Sequence, residues 1–170
     1  MALAIRVREA RLGDKAAIKD LVSDGFGPSH SSRSVWQLRH ADAVDELGLI
    51  AEDSDNNSEI IGTLQFWPIT IAGLPCLLLG PLAVKHILRG KGVGRLLVSK
   101  GIEQIMNKQW AFCLVSGEPD YYSKFGFKLA PSRLIWPGEI ERERLQICVL
   151  QDNAQEKFPL GDLLVLSDVK

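Results

Sequence analysis

The alternation of apolar and polar residues predicts two kinds of element in this chain. Residues Thr63 to Phe66 alternate with a period of two, which is typical of a half-buried strand. Between positions 93 and 107 the apolar residues recur every three or four positions, which predicts one long amphipathic helix. A shorter run from Lys15 to Val22, with Asp14 as its N-cap, predicts a first helix.

Turn-forming residues divide the predicted strands into hairpins. Turns at 55–58 and 73–75 each separate two apolar runs, as expected for antiparallel neighbours. A segment rich in Gly, Pro and Ser predicts a loop at 26–32, and the pattern after it indicates a second helix at 34–40. The predicted strands are 5–9, 47–52, 60–66, 69–71, 77–84, 112–115, 145–150 and 163–166.

The order of elements in the middle of the chain predicts one parallel strand pair. A strand at 77–84, a glycine-rich turn, the long helix and a strand at 112–115 follow one another. This is a βαβ unit, whose two strands lie parallel with a right-handed crossover. Because hairpins precede the unit, we predict an α/β fold with a mixed, mostly antiparallel sheet, and the 170 residues fit a single domain.

Composition and charge exclude several classes of protein. The chain is 46% hydrophobic and 24% charged, which excludes wholesale disorder. The chain has twenty basic and twenty-one acidic residues and so no excess of positive charge. We therefore expect no nucleic-acid partner and no binding to an anionic membrane. The stretch from Ile60 to Val84 has no charge, but Pro68, Pro75 and Pro81 within it exclude a membrane-spanning helix.

The cysteines and the N-terminus point to one compartment. Cys76, Cys113 and Cys148 are widely spaced and each lies in an apolar run, which predicts buried thiols, with no disulfide and no metal site. Residues Met1 to Arg8 lack the apolar core of a secretory signal. We therefore expect a cytoplasmic protein, where thiols stay reduced.

The segment between the two parallel strands concentrates positive charge and glycine. From Lys85 to Lys100 there are five basic residues and no acidic one. The first N–H groups of a helix lack intrahelical partners, and glycines let the main chain approach an anion closely. A phosphate-binding site is therefore predicted here. It is neither a P-loop, because Gly92 stands where Ser or Thr is needed, nor a Rossmann loop, because Arg95 stands at the third glycine.

Two motifs carry a resemblance to a known family. Arg-x-x-Gly-x-Gly, from Arg89 through Gly94, resembles the coenzyme A pyrophosphate loop of the GCN5-related N-acetyltransferase (GNAT) family. Gly-Glu-Pro-x-Tyr-Tyr-x-x-Phe-Gly-Phe, from Gly117 to Phe127, is similar to the next motif of that family and to one bacterial subgroup of it. The resemblance covers Leu49 to Phe127 well, the N-terminal helices loosely, and little beyond Ala130.

The resemblance implies both a fold and an activity. It implies the GNAT-like acyl-CoA N-acyltransferase fold, with helices on both faces of the sheet. It also implies direct transfer of an acetyl group from acetyl-CoA to a primary amine of an unidentified small-molecule or peptide acceptor, in a ternary complex and without a metal. The Val84 amide would polarise the thioester carbonyl, and Tyr122 would protonate the leaving thiolate. The residues that the resemblance assigns to the cofactor are Leu82, Ala83, Val84, Arg89, Gly90, Lys91, Gly92, Val93, Gly94 and Arg95.

Several roles stay open at this point. Tyr121 lies four residues before Phe125, so one of the two adjacent tyrosines packs in the core, and only the motif position selects Tyr122. Glu118 is either a general base or the cap of a short helix. His86 is either a proton acceptor or a solvated loop residue. Ser116 and Cys113 have no sequence-visible partner that would make them nucleophiles, and the family places its acceptor pocket near Phe26, His30 and Trp36.

Two other functional classes also remain alternatives. The chain could be a non-catalytic module that binds or senses acyl-CoA, in which the phosphate site persists without chemistry. It could also be a scaffold whose basic loop docks an acidic protein. The sequence leaves the oligomeric state open, with a homodimer as one alternative.

Overall fold

The computed structural model describes residues 2–27, 38–39, 43–157 and 164–168, which form one nine-stranded sheet with three α-helices. Short 3-10 turns connect several of these elements. The helices are α1 (Lys15–Phe26), α2 (Val93–Ile105) and α3 (Pro119–Tyr122). The strands are β1 (Ile5–Glu9), β2 (Leu49–Asp53), β3 (Glu59–Ile71), β4 (Leu74–Val84), β5 (Phe112–Ser116), β6 (Lys128–Leu129), β7 (Leu134–Ile135), β8 (Leu145–Val149) and β9 (Leu164–Asp168).

The sheet is mixed, as the order of elements predicts. Its strands lie side by side in the order β1-β2-β3-β4-β5-β8-β6, while β9 pairs with both β3 and β7. All neighbours along the main path are antiparallel except β4 and β5, which are the two strands of the predicted βαβ unit. A second parallel pair, β7 with β9, was not predicted. The short length of β7, at two residues, gives no readable periodicity.

Helices cover both faces of the sheet, as the resemblance implies. α2 packs its apolar stripe, including Val93 and Leu97, against the face that also carries Leu77 and Leu79 of β4. α1 packs against Ala83 and Ile50 on the other face. Successive residues of a strand point to opposite faces, so β4 is buried from both sides. Among the described residues, no helix has the length and hydropathy needed to cross a bilayer.

The structure corrects two boundaries around the central hairpin. The predicted strands 60–66 and 69–71 are one continuous 13-residue strand, β3, which runs through Pro68. Pairing of β3 with β2 ends at Leu64 and pairing with β9 begins at Ile69, so the proline lies where that side of the strand has no described neighbour. β4 begins at Leu74, three residues before its predicted start.

The N-terminal part differs from the prediction at both ends of α1. Phe26, the first residue of the predicted loop at 26–32, still belongs to the helix, and residues 28–32 of that loop lie outside the described part of the chain. Asp14 does precede the helix, but its carboxylate accepts hydrogen bonds from the Arg8 side chain and from the Arg11 N–H instead of capping it. Of the predicted helix 34–40 only residues 38–39 are described; Trp36 and the candidate His30 fall outside the described residues.

An ion cluster fixes α1 to the edge of the sheet. Arg8 of β1 donates to Asp14, at 2.8 Å, and to Glu52 of β2, at 2.5 Å, and both carboxylates are almost fully buried. The hydrogen bonds from Arg8 hold the pKa of each carboxyl below its ordinary value. The cluster therefore anchors the helix whose far end lines the cavity described next.

Candidate active site

The site begins where β4 and β5 stop pairing. These two parallel strands are in register at Leu77 with Cys113 and at Leu78 with Leu114, and no further pair of β4 with β5 forms in the described part of the chain. Just beyond Leu78, the register of β4 against β3 shifts by one residue, which marks a β-bulge in β4 opposite Gln65. Bulges bend a strand and end local pairing. The result is a gap between the last residues of β4 and those of β5.

The main chain of β4 faces this gap with unpaired polar groups. The Lys85 N–H donates to the Ile61 carbonyl at 2.9 Å, and Val84 lies opposite Gly62 in the same register. In an antiparallel ladder, alternate residues bond to the neighbour and the residues between them point away. The N–H and C=O groups of Leu82 and Val84 therefore point toward the gap, where an extended ligand can pair with them as a strand would.

The N-terminus of α2 lies at the end of the same strand. Gly92 precedes the helix in the left-handed region, with φ +90° and ψ −1°, which glycine adopts without steric cost. It provides no side-chain cap, the first turn has no acidic residue, and the first helical bond is Leu96 N–H to Gly92 C=O at 3.0 Å. The N–H groups of the first turn and the positive end of the helix dipole are therefore directed at the loop, as an anion site requires.

A cavity of about 590 Å³ joins the strand edge to this helix start. All of the predicted cofactor residues except Lys91 line it, and they share it with four others. The guanidinium of Arg89 also reaches α1, since its Nη2 lies 3.7 Å from the position of a Cβ on Gly25. The lining residues are Gly25, Phe26, Leu82, Ala83, Val84, Leu88, Arg89, Gly90, Gly92, Val93, Gly94, Arg95 and Tyr121.

Three of these residues are not assigned to any binding site by sequence reasoning. Gly25 lies in the last turn of a helix whose periodicity signals only burial, and Leu88 belongs to a 3-10 turn with no motif of its own. The third is Tyr121, because the position of the family motif selects its neighbour Tyr122 instead. Phe26, which the resemblance assigned to the acceptor pocket, lines the same cavity.

The two adjacent tyrosines occupy different surroundings. Tyr121 is half-buried on the cavity wall, and its hydroxyl lies 2.8 Å from the position of a Cβ on Gly94, close to the start of α2. Burial raises the pKa of Tyr121, while the charge of Arg95 lowers it. Tyr122, the predicted acid, does not line this cavity. Both phenols therefore hold their protons at neutral pH.

Tyr122 lies on the β5 side of the gap. Its side chain is 8% exposed, and its ring packs edge-on against Tyr121 at 5.0 Å and Phe127 at 5.7 Å between centroids. Burial raises the pKa of Tyr122, and among the described residues its hydroxyl has no hydrogen-bond partner. A phenol of this kind is a proton donor and not a base.

Gly117 packs against the Tyr122 ring, and two hydrogen bonds hold the main chain of Gly117 in place. A Cβ on Gly117 would overlap the ring of Tyr122, with Cδ2 at 2.9 Å. The Gly117 N–H donates to the Arg144 carbonyl at 3.0 Å, and the buried side chain of Gln146 donates to the Gly117 carbonyl at 3.2 Å. The side chain of Glu118 forms an ion pair with Arg144. Residues at the start of β8 and just before it therefore hold the main chain against which the Tyr122 ring packs.

The other sequence candidates are also accounted for within the described residues. Glu118 takes the N-cap position of α3 without a side-chain cap bond and is paired with Arg144. His86 lies exposed in the turn after β4. Burial raises the pKa of Cys113 far above its ordinary value, which leaves it an inert thiol. No group of three described His, Cys, Asp or Glu residues is arranged to hold a metal ion.

Comparison with known proteins decides the family. The family model described as "Acetyltransferase (GNAT) domain" matches residues 45–129, half of the chain. The chain is also 33% identical to "Uncharacterized N-acetyltransferase YhbS" of Escherichia coli K12 over 146 residues, which cover 83% of this chain and 84% of that protein. The chain belongs to the GNAT family of acetyltransferases. The family membership that the two motifs predict is confirmed.

Solved structures of GNAT proteins share the fold. The crystal structure of YhbS from Escherichia coli in complex with CoA superposes with a TM-score of 0.77 at 28% identity, covering 99% of this chain and 92% of that one. A GNAT acetyltransferase from Brucella melitensis in complex with acetyl-CoA gives a TM-score of 0.69 at 24% identity, covering 98% and 96%. The predicted fold and the predicted class of enzyme, an N-acetyltransferase, are thus confirmed.

Proposed function

We propose that this acetyltransferase moves an acetyl group from acetyl-CoA to a primary amine in the gap between β4 and β5. The observation that carries the proposal is a single cavity that joins the unpaired edge of β4 to the uncapped N-terminus of α2. The similar YhbS structure contains CoA and the Brucella structure contains acetyl-CoA, which supports the same donor here. The acceptor is a small molecule or a peptide.

The cofactor would lie along the cavity in two parts. Its pyrophosphate would accept hydrogen bonds from the first turn of α2 at Gly92, Val93 and Gly94, with Arg89 and Arg95 around it. Its pantetheine arm would pair with Leu82 and Val84, whose main-chain groups point toward the gap. This order places the thioester beside the main chain of β4, inside the gap.

The chemistry requires one oxyanion donor and one acid. The amine attacks the thioester carbonyl, a C–N bond forms, and the C–S bond breaks. The Val84 amide would stabilise the oxyanion, a contribution of ~3 kcal/mol for one such donor. The departing thiolate would take the proton of Tyr122, whose burial keeps it protonated. The amine nitrogen then loses its extra proton, and Tyr122 regains one from that nitrogen or from solvent.

Two phenylalanine substitutions test the acid assignment. We expect Tyr122→Phe to lower kcat at least about 100-fold while the KM for acetyl-CoA stays near its original value. Tyr121→Phe is the matched variant, because it removes a hydroxyl from the cavity wall, and we expect it to act mainly on the KM for acetyl-CoA. The reverse pattern would move the acid to Tyr121.

Isothermal titration with acetyl-CoA tests the cofactor site itself. We expect one acetyl-CoA to bind per chain. We also expect turnover with a panel of primary amines, measured as the release of free CoA thiol. Binding without turnover on any amine, and no change on Tyr122→Phe, would favour the non-catalytic acyl-CoA-binding module instead. Absence of binding by a well-folded protein would end the proposal.

We also propose that the chain works as a single domain in the cytoplasm. All three cysteines are buried and none forms a disulfide, which suits a reducing compartment. A fluorescent fusion that entered an oxidising compartment would contradict this assignment.

A further inference from the structure

Arg39 places a guanidinium beside the residues of β4 that open the gap. Its Nη2 atom lies 2.8 Å from the position of a Cβ on Gly80. Gly80 has a φ of +124°, which favours glycine, and it lies in the bulge, just beyond the last described pair of β4 with β5. Any larger residue at position 80 would displace the guanidinium. The glycine therefore leaves room for a cation where the two strands separate.

Trp67 holds Gly80 and the guanidinium in one arrangement. Its Nε1–H donates to the Gly80 carbonyl at 2.7 Å, and the Cζ atom of Arg39 lies 5.8 Å from the centre of its ring, a cation–π distance. Leu38 belongs to the core cluster that contains Leu78, and Trp67 packs against that cluster, on the face of the sheet away from α2. Arg39 thus reaches the gap from the face opposite the long helix.

The charge of Arg39 lies in a desolvated place. Its Nε atom is shielded from water, and burial lowers the pKa of Arg39 to about 9. Arg8 behaves in the opposite way, because hydrogen bonds to Asp14 and Glu52 raise its pKa. An anion in contact with the Arg39 guanidinium would raise its pKa in the same manner. A guanidinium has five N–H donors, so contacts within the chain do not prevent it from binding a ligand oxygen as well.

The position of Arg39 relative to the proposed cofactor indicates which ligand it meets. The cofactor would enter at α2 and pair with Val84 and Leu82, and Gly80 lies two residues further toward the start of β4. The donor therefore leaves the Gly80 end of the gap to the acceptor. The described residues that line the cavity include two arginines and no carboxylate. These surroundings favour an acceptor with a negative charge over one that is only a cation.

We propose that the acceptor is a primary amine that also carries a carboxylate, and that Arg39 binds this carboxylate. The inference rests on the proposed function and adds the class of substrate to it. The guanidinium would donate hydrogen bonds to the carboxylate oxygens, which fixes one end of the acceptor and directs its amine at the thioester. The carboxylate takes no part in the bonds that form and break. Arg39 is thus a specificity-determining residue.

Pairs of acceptors that differ only in charge test the class of substrate. Each pair is a straight-chain amino acid, from glycine to 6-aminohexanoate, and its amide, so both members present a primary amine at the same reach. With kcat/KM expressed per neutral amine, we expect at least one amino acid to exceed its amide by about tenfold or more, as a charge-assisted hydrogen bond provides. Arg39→Gln should remove that difference, and Arg39→Lys should keep part of it.

Arg6→Gln is the matched control. It removes a guanidinium of the edge strand β1 that pairs with Glu52, so the ratio of the two kcat/KM values should stay as in the wild type. Urea unfolding checks that each variant folds. If Arg39→Gln does not fold, the wild-type ratio and Arg39→Lys still test the proposal.

Calorimetry separates this inference from the proposed function. The same amino acids and amides are titrated into the chain saturated with CoA, where no transfer occurs. Equal turnover of acids and amides at every length would overturn the carboxylate class, and a preference that survives Arg39→Gln would overturn the role of Arg39, while acetyl transfer stands in both cases. No turnover with any amine, together with binding of an amino acid that Arg39→Gln abolishes, would overturn the proposed transfer and support the carboxylate site. Neither turnover nor binding would overturn both.

Discussion

The two sides of the gap between β4 and β5 carry different kinds of polar group. On the β4 side, the polar groups that face the gap are main-chain ones, namely the N–H and C=O groups of Leu82 and Val84 and the first turn of α2. On the β5 side, the polar groups belong to side chains, namely those of Tyr121, Tyr122 and Arg144. Fixed main-chain dipoles need no reorganisation when charge appears, whereas side chains depend on what packs behind them.

The two sides of the gap are therefore sensitive to different kinds of substitution. The β4 side tolerates changes of side chain but depends on a glycine whose backbone other residues adopt only with strain. The β5 side depends on close packing, because Gly117 leaves only enough room for the Tyr122 ring. A substitution on the first side should therefore act on binding, and one on the second should act on turnover.

Gly117→Ala should have the largest effect. Its methyl group would overlap the ring of Tyr122, which packs against Phe127 and has little room to move. We expect kcat to fall about 100-fold, as for loss of the acid, and the free energy of unfolding to fall by about 1–3 kcal/mol. Acetyl-CoA affinity by calorimetry should remain.

Gly13→Ala is the control for that experiment, because nothing lies within 4 Å of its added methyl group. It should leave both kcat and affinity unchanged. If Gly117→Ala weakened acetyl-CoA binding as much as it lowered kcat, the two sides of the gap would not be separable.

Gly92→Ala should have a smaller effect and act on binding. Its φ of +90° strains any residue with a Cβ, at a cost of roughly 1–2 kcal/mol, and the strain relaxes by moving the start of α2. We expect the KM for acetyl-CoA to rise about tenfold, as 1.4 kcal/mol corresponds to that factor, with kcat almost unchanged.

Gly73→Ala separates strain from binding. Gly73 has a φ of +80° in the turn between β3 and β4, so the substitution brings a similar strain away from the cavity. It should lower stability without changing the KM. A KM that stayed constant in Gly92→Ala would contradict the placement of the pyrophosphate.

The same contrast explains which features the sequence could predict. The βαβ unit, α2 and the glycine loop follow from local periodicity and from residues, such as glycine, that mark particular backbone conformations. The structure confirms the order of these elements. The bulge of β4, the ion pair of Arg144 and the support of Gly117 by Gln146 join residues far apart in sequence. No local pattern encodes such contacts.

The adjacent tyrosines show this limit most sharply. Motif position selects Tyr122, while the cavity is lined by Tyr121, and the i, i+4 spacing to Phe125 fits a packing role for Tyr121 as well. Which face of α3 meets the cavity depends on how the helix packs beside α2 and β8. That packing is a property of the whole fold.

Alkaline destabilisation is the smallest effect we expect, and it measures how well the β5 side excludes water. Burial raises the pKa of Tyr122 in the folded state above its unfolded value of about 10, so folding favours the protonated phenol. Stability is thus unaffected well below pH 10 and decreases above it, where the unfolded chain loses the proton first. Between pH 9 and 10.5, urea unfolding should show the wild type losing about 0.8 kcal/mol more than Tyr122→Phe. A direct titration gives a second measurement. The chain has two tyrosines, so Tyr121→Phe leaves Tyr122 as its only phenol, and the absorbance change at alkaline pH then reports the ionisation of that group alone. A titration midpoint near pH 10 would mean that water reaches the Tyr122 ring and that the two sides of the gap are equally solvated.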